Sequence, residues 1–323
     1  MPPALGKPHQ QGFTLIELMI ALVLGLIIIA AAITVYLSNR RAYMTTTALA
    51  QVQDSARVAY ELLARDIRAA AGTACGGPSE INFTNTLKNN PTYADFDFAI
   101  QGYDNGVPDP DVAFGSASGQ RVNATDSSSL KLIGTRGIGA SFDTATGANL
   151  TLNQPTSLMQ TGDIAVLCGP GHATVFQVTD VQNSGKLLVH AVGGGPPGNN
   201  TTALGFAYPQ NSLVTSLSFA DWYIGNNPQG GHSLYRLALV NQAGVPTLTS
   251  QEMVRGVVAM QLTYHTPSKN EYVKAASIAN WDQVNAVHIV LTIQGAAKHT
   301  DTDQQPLERK VSGTVALRNR LVN

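Results

Sequence analysis

The sequence has 323 residues, of which 44% are hydrophobic and 13% are charged, and its 20 basic and 21 acidic residues give a formal net charge of -1. This length allows one large domain or two small ones, and the hydrophobic share is enough for a substantial core. The near-zero net charge argues against nucleic-acid binding through a general basic field, although a local basic patch stays compatible with the composition.

The first predicted element is an apolar helix over residues 13–37, which read FTLIELMIALVLGLIIIAAAITVYL. At 1.5 Å per residue this helix is about 37 Å long, enough to cross a lipid bilayer. A secretory signal peptide would have a shorter apolar core with a cleavage site behind it. Here a short polar leader, residues 1–12, comes before the apolar run instead. We therefore expect the helix to remain in the mature protein as a membrane anchor.

Glu17 is the single charged residue of this apolar run. Alone, it is explained as a shallow carboxylate that reaches the lipid headgroups. Together with its neighbours, however, the segment Gly-Phe-Thr-Leu-Ile-Glu at 12–17 resembles the class III signal of type IV pilins and of type II secretion pseudopilins. The resemblance implies that prepilin peptidase cleaves after Gly12 and that Phe13 becomes the methylated N-terminus. It also implies that Glu17 sets the register between subunits, because a carboxylate in a low-dielectric bundle pairs with a neighbour's N-terminal amine.

The helical pattern continues after the membrane segment, over residues 38–71. Apolar residues recur there at steps of three and four and form one face, namely Ala48, Val52, Ala56, Ala59, Leu63, Ile67 and Ala70. Gly72 and the Cys75-Gly76-Gly77-Pro78 stretch are expected to end the helix. The sequence therefore predicts one long helix whose first half spans a membrane and whose second half is amphipathic.

The remaining residues, 72–323, are predicted to form a single β-rich head, because no Pro- or Ser-rich linker divides them. Turn residues separate seven strand-like runs, at 163–167, 174–178, 186–190, 233–240, 257–264, 284–293 and 310–317. These runs are expected to form antiparallel sheets or a flattened barrel. Residues 78–129 and 193–202 are predicted to be exposed loops. The expected fold class is α+β, a long N-terminal helix with a β-rich head, as in the type IV pilins that the signal resembles.

Parts of the head resemble PilW-like minor pilins. Residues 253–264 read MVRGVVAMQLTY, and residues 281–293 and 311–319 resemble the C-terminal part of those proteins. The first block also resembles the J-type pseudopilins of type II secretion systems, which therefore stay as the alternative. Many major pilins carry a proline near the position of Thr34, and its absence here favours a minor pilin.

A PilW-like identity implies a structural subunit that is not an enzyme and needs no cofactor. It is expected to prime fibre assembly, to lie at or near the pilus tip, and to support twitching motility and adhesion. The expected partners are other minor pilins, the major pilin, prepilin peptidase and the inner-membrane assembly platform, with a large tip adhesin as an optional further one. The implied topology is a single pass through the inner membrane, with a cytoplasmic N-terminus and a periplasmic head, followed by transfer into the fibre at the cell surface. A third alternative is a tip subunit with its own ligand, either DNA or a surface.

The two cysteines, Cys75 and Cys168, do not have the spacing of a metal site. They are either free buried thiols or, if the head lies outside the cytoplasm, a disulfide. Because the resemblance implies an extracytoplasmic head, we expect Cys75 and Cys168 to be linked. This bond would close a loop of roughly 90 residues and contribute about 4 kcal/mol in the loop-entropy model.

Enzyme motifs are missing from the sequence, which has no Gly-x-Ser-x-Gly elbow, phosphate-binding loop, His-Glu-x-x-His or Cys-x-x-Cys. Gly137-Ile138-Gly139 lacks the third glycine of a dinucleotide-binding motif and is interpreted as a turn. Trp222, Tyr223 and Trp281 are expected to be core aromatics rather than a binding surface.

One oxygen-rich loop offers possible calcium ligands, which are Asp104, Asn105, Asp109 and Asp111. Carboxylate and amide oxygens are ligands that calcium prefers. Their spacing is not that of an EF-hand, however, so the sequence favours a solvated turn and predicts no metal.

Overall fold

The computed structural model describes residues 12–73, 81–123, 127–295 and 306–320. The described residues up to Ala50, with 306–307, belong to one compact unit, and those from Gln51 onward, without 306–307, belong to a second. The predicted leader, residues 1–12, lies outside the described residues except for Gly12.

One helix, α1, runs from Leu15 to Ala69. No proline occurs in this range, and most residues are Ala, Leu, Ile or other good helix formers. The helix ends two residues earlier than predicted, because Ala71 adopts a left-handed conformation with φ of 55°. The Ala71 backbone N–H donates instead to the carbonyl of Ile133, at 2.8 Å. The predicted long helix is thus confirmed, and its end is fixed by a contact with a strand.

The described head contains fourteen strands, and the sequence-based prediction of an α+β fold is confirmed. The first seven are β1 (Asn82–Asn85), β2 (Ile100–Tyr103), β3 (Ser129–Thr146), β4 (Asn149–Leu152), β5 (Ile164–Gly169), β6 (His172–Gln177) and β7 (Asp180–Gln182). The others are β8 (Leu187–Val189), β9 (Leu213–Asn226), β10 (His232–Gln242), β11 (Val245–Arg255), β12 (Val257–His265), β13 (Ala286–Gln294) and β14 (Glu308–Ala316). All seven strand-like runs of the sequence coincide with one of these strands.

The strands form a large sheet of eleven strands and a small sheet of three, in the order β12-β13-β14. In the large sheet, β9 pairs with β3 along most of its length, with β5 near its start and with β10 along its second half. Both sheets are antiparallel apart from the parallel pair β1 and β6. The predicted antiparallel sheets are therefore confirmed, and the chain does not form one flattened barrel.

Gly256 is the point at which the chain passes from the large sheet to the small one, between β11 and β12. Its φ is 78°, a value that L side chains rarely adopt, and a Cβ there would meet the carbonyl oxygen of Gln294 at 2.6 Å. The Gln294 N–H donates to the Gly256 carbonyl at 2.7 Å. A glycine is thus required where the strand changes sheets.

Two sequence-based predictions about loops are wrong in part. Within residues 78–129, the chain forms β1 and β2 and buries side chains such as Phe96 and Arg121, so this segment is not simply an exposed loop. Gly137-Ile138-Gly139 is not a turn between elements but lies inside β3, where the register with β9 shifts between Arg136 and Ala140. The glycines accommodate this irregularity because a strand bulge often needs a positive φ. The predicted loop at 193–202 is confirmed as irregular.

The second part of α1 supplies one face of the main core. Every residue of the predicted apolar stripe is buried, and those from Val52 to Ala70 pack in the same hydrophobic cluster as the strands. Leu63 and Ile67 are fully buried in this cluster. A second, smaller core is formed around Phe142 and Phe176, partly by the same strands, since Ala165 of β5 belongs to it and Ile164 belongs to the main core.

Asp66 is the polar anchor between the helix and the large sheet. Its Oδ2 accepts a hydrogen bond from Nε of Arg236 at 2.7 Å and another from Nε1 of Trp222 at 3.1 Å. The Asp66 and Arg236 side chains are each 14% exposed, so this ion pair is largely shielded from water. Trp222 and Tyr223 are completely buried, which confirms that they are core aromatics, whereas Trp281 is half-buried.

Candidate functional site

The start of α1 holds the residues of the predicted assembly site. Thr14 is the residue before the helix, and Glu17 lies in its first turn. One carboxylate oxygen of Glu17 accepts hydrogen bonds from both the backbone N–H and the hydroxyl of Thr14, each at 2.9 Å. The Glu17 N–H donates back to the Thr14 hydroxyl at 3.3 Å. This reciprocal arrangement is a capping box, which satisfies backbone donors that the first turn of a helix leaves without partners.

Thr14 is a site residue that the sequence analysis missed. The signal was present, because Thr followed three residues later by Glu, just before an apolar run, is the pattern of a capping box. The structure brings Thr14 and Glu17 together and leaves Gly12 and Phe13 exposed before the helix. Within the described residues, Thr14 is the partner that Glu17 contacts through its side chain.

The helix beyond Glu17 presents large apolar side chains on all of its faces. Leu18 is 60% exposed and Leu26 is 63% exposed, and the apolar residues between them are similarly exposed. Among the described residues, α1 is the one helix whose length and composition would allow it to cross a membrane. Exposed apolar surface of this extent is typical of a segment that is covered by lipid or by other protein chains.

A second group of polar residues lies inside the head, at the oxygen-rich loop. Asp109 and Asp111 come together with Asp221 of β9, with one oxygen atom of each carboxylate within 4.8 Å of the others. We refer to these three residues as the acidic cluster. Asp109 and Asp221 are buried and Asp111 is half-buried, so the solvated-turn interpretation is wrong for Asp109.

The other two residues of the loop are placed differently. The Asp104 carboxylate accepts hydrogen bonds from the backbone N–H groups of Ala275 and Ala276, at 3.2 and 2.9 Å. Asn105 is exposed. Sequence spacing alone could not identify Asp221, which lies far along the chain and joins the loop through the pairing of β9 with β3.

Burial disfavours the charged forms in the acidic cluster. It raises the pKa of Asp221 well above the usual value of an aspartate, and the neighbouring Asp109 and Asp111 raise that pKa further. Burial likewise raises the pKa of Asp111, although a hydrogen bond from the Thr92 hydroxyl opposes this shift. Arg121 is buried beside them, and its burial lowers the pKa of the guanidinium.

Cys168 of β5 is 3% exposed, and the described part of the chain holds no free cysteine. Cys75, its predicted partner, lies outside the described residues. The linkage of Cys75 with Cys168 therefore stays a prediction.

Two family models match the chain. The model for the prokaryotic N-terminal methylation motif matches residues 7–33, and the model for the type IV pilus-assembly protein W matches residues 221–319. No match was found among curated proteins or among solved structures.

The two matches lie in different parts of the molecule, and neither covers residues 34–220. The first covers the capping box and the exposed apolar segment, and the second begins in β9 and extends beyond β14. Both describe structural components of pili rather than enzymes. They support a membrane-anchored, pilus-associated protein that associates with other pilins. The methylation signal before the apolar helix and the PilW match in the head together support a PilW-like minor pilin of the type IV pilin superfamily.

Proposed function

We propose that this protein is a minor pilin that primes the assembly of a type IV pilus and stays at or near the tip of the fibre. The observation that carries this proposal is the PilW match over residues 221–319, in a head joined to a pilin methylation signal. A head of this size is easier to place at one end of a fibre than to repeat along it. In that position the subunit would support twitching motility and adhesion.

Glu17 is the residue to which we assign subunit register. Before assembly, the capping box gives its carboxylate two hydrogen bonds, which lowers the cost of a charge near an apolar segment. The Glu17 carboxylate has further lone pairs in addition to those used in the capping box. The N-terminal amine of Phe13 in a neighbouring subunit would be a stronger partner for it, because that amine is charged. Pairing in the dry centre of a fibre would favour one axial register, because a shifted neighbour would leave the carboxylate without its cation.

Maturation by prepilin peptidase would supply that amine. We propose that cleavage follows Gly12, that Phe13 is methylated, and that residues 13–37 span the inner membrane with the head in the periplasm. Both Gly12 and Phe13 are exposed, so the peptide bond between them is accessible to a peptidase. Mass analysis of the mature chain should therefore find methylated Phe13 at the N-terminus, and recovery of the intact leader would contradict this part of the proposal.

We also propose the disulfide between Cys75 and Cys168, because the buried Cys168 is not free and the periplasm is an oxidising compartment in which disulfides form and persist. Peptide mapping without reduction should recover the two cysteines in one linked fragment. Free thiols at both positions would contradict the pairing.

The test of the function is complementation of a strain from which the gene is deleted. The wild-type chain should restore surface pili and twitching, whereas Glu17→Ala should restore less than about a tenth of the wild-type level, because the contact of this subunit with its neighbour loses a charge-assisted pair worth roughly 1.5–3 kcal/mol. Glu61→Ala is the matched control, since Glu61 lies on the same helix in an exposed pair with Arg57. Normal piliation with Glu17→Ala would overturn the assigned role of Glu17.

The alternative is a J-type pseudopilin of a type II secretion system, since the class III signal is common to pilins and pseudopilins. The same deletion strain separates the two, through parallel assays of surface pili and of protein secretion. Loss of pili with intact secretion is expected. Loss of secretion with normal pili would overturn the proposal in favour of the pseudopilin.

A further inference from the structure

We propose that the acidic cluster of Asp109, Asp111 and Asp221 binds one calcium ion inside the head. This site is separate from the assembly residues of α1 and goes beyond the proposed function. One oxygen from each of the three carboxylates lies within 4.8 Å of the other two. Calcium takes oxygen ligands at about 2.3–2.6 Å, so oxygens at such separations can contact the same ion.

The three carboxylates are not neutralised by protein cations. None of the ion pairs formed by residues 12–73, 81–123, 127–295 and 306–320 includes any of them. Three aspartates so close together repel one another strongly in a buried site. A cation between them would convert that repulsion into attraction.

The two nearest basic side chains are directed elsewhere. The terminal nitrogens of Arg121 donate to the backbone carbonyls of Asp104, Val107 and Ser127. The ammonium of Lys131 lies 5.7 Å from the centre of the Phe98 ring.

Asp104 lies beside the cluster, so that the region holds four carboxylates. Its two basic groups are the guanidinium of Arg121 and the ammonium of Lys131. When all four carboxylates are ionised, which burial disfavours at Asp221 without a cation, two negative charges are in excess. A divalent cation supplies that charge.

Unpartnered polar atoms provide an independent indication of a ligand. Asp221 is completely buried, and neither of its carboxylate oxygens accepts a hydrogen bond from a donor group of the described residues; the Asp109 carboxyl is within hydrogen-bond reach, a contact that requires either a shared proton or a cation. One oxygen of Asp111 also lacks a hydrogen-bond partner among the described residues. The same holds for the hydroxyl of Tyr264, a residue that is almost completely buried. Tyr264 interacts electrostatically with Asp104, Asp221 and Arg121, so its hydroxyl belongs to the same region. Buried oxygens are rarely left without partners, and two of the residues concerned, Asp111 and Asp221, belong to the acidic cluster.

The surrounding residues hold two of the ligands in place. Asp109 accepts hydrogen bonds from the Asp111 N–H, at 3.0 Å, and from the Ser129 hydroxyl. Asp111 accepts one from the Thr92 hydroxyl through its other oxygen. Each carboxylate keeps lone pairs free for a metal ion.

The chemistry of the site favours calcium over magnesium. A largely buried set of protein oxygens suits calcium, which accepts flexible coordination by carboxylates and hydroxyls. Magnesium gives up its bound water reluctantly and usually keeps several water ligands. The ion would tie the loop that carries Asp109 and Asp111 to β9, next to Trp222, which in turn contacts Asp66 of α1.

The rival explanation is that the carboxylates share protons instead of a metal ion. Binding measurements on the full mature chain in detergent micelles distinguish the two. The protein is stripped with a chelator, transferred to metal-free buffer at neutral pH, and titrated with calcium chloride, with bound calcium measured directly. We expect about one calcium ion per chain, and a thermal unfolding midpoint that rises with calcium but not with sodium chloride of equal ionic strength.

Two variants locate the site. Asp111→Asn, at a half-buried position, should weaken calcium binding at least tenfold, and Asp221→Asn should abolish the calcium-dependent rise of the midpoint. Asp97→Asn is the matched control, because Asp97 is exposed in the same part of the chain and should leave binding unchanged.

Either of two results would overturn the inference. The first is that no calcium binds at millimolar concentration and that Asp221→Asn raises the thermal unfolding midpoint equally with and without calcium. This result would show that the carboxylates share protons instead of binding a metal ion. Equal affinity for magnesium and calcium would overturn the assignment of the ion.

Discussion

Glu17 and Asp66 are acidic residues of the same helix, yet their carboxylates are satisfied in opposite ways. Within the described part of the chain, the Glu17 carboxylate bonds to Thr14, three residues away, in a segment whose apolar side chains are exposed. Asp66 bonds to Arg236 and Trp222, which lie far away in the sequence, in a segment whose apolar face is buried. A carboxylate held by a local cap keeps its capacity for a partner from another chain. A carboxylate held by two strands is committed to the fold of its own chain.

The largest expected difference between the two segments comes from their apolar residues. Leu63→Ala should lower the free energy of unfolding of the head by about 2–5 kcal/mol, because Leu63 is completely buried and its truncation leaves a cavity. Leu26→Ala is the matched control, since Leu26 is 63% exposed, and it should change that free energy by less than about 0.5 kcal/mol. Denaturant unfolding of the full chain in micelles, followed by tryptophan fluorescence, measures both. Equal effects of the two substitutions would remove the contrast.

A smaller effect is expected when the charge of the second segment is removed. Asp66→Ala should destabilise the head by about 2–4 kcal/mol, because it leaves the largely buried Arg236 guanidinium without its counter-charge. Glu61→Ala breaks the exposed pair with Arg57 and should cost less than about 1 kcal/mol. A double-mutant cycle of Asp66→Ala with Arg236→Ala measures the coupling directly. Coupling near zero would mean that Asp66 does not anchor the helix through Arg236.

The smallest effect is expected at the cap of the first segment. Thr14→Ala removes the capping hydroxyl and should destabilise the first turn of α1 by about 1 kcal/mol. Amide hydrogen exchange of residues 15–18 in micelles should then become about fivefold faster. Thr46→Ala serves as the control, because the Thr46 hydroxyl bonds to the Ala42 carbonyl within the helix and caps nothing. Unchanged exchange in the first turn would contradict the capping role of Thr14.

Strands with a clear pattern were predicted from the sequence, and the longest ones were not. The burial of β13 alternates along most of its length, and the sequence signals such a strand directly. In contrast, β9 is buried on both faces over its second half, so its polar and apolar residues do not alternate. In β3, the glycines around Ile138 were mistaken for a turn, because a bulge and a turn use the same residues.

The membrane anchor and the resemblance to type IV pilins could be predicted from the sequence. Gly12, Phe13 and Glu17 are contiguous with a long apolar run, and the interactions that make them a signal are local. The partners of Asp66 and Asp221, in contrast, become visible only in the folded chain. Asp66 meets Arg236, and Asp221 meets Asp109 and Asp111, only because strands distant in sequence pair beside one another. Spacing along the chain can encode contacts within a helical turn, whereas contacts across a sheet depend on the pairing and register of whole strands.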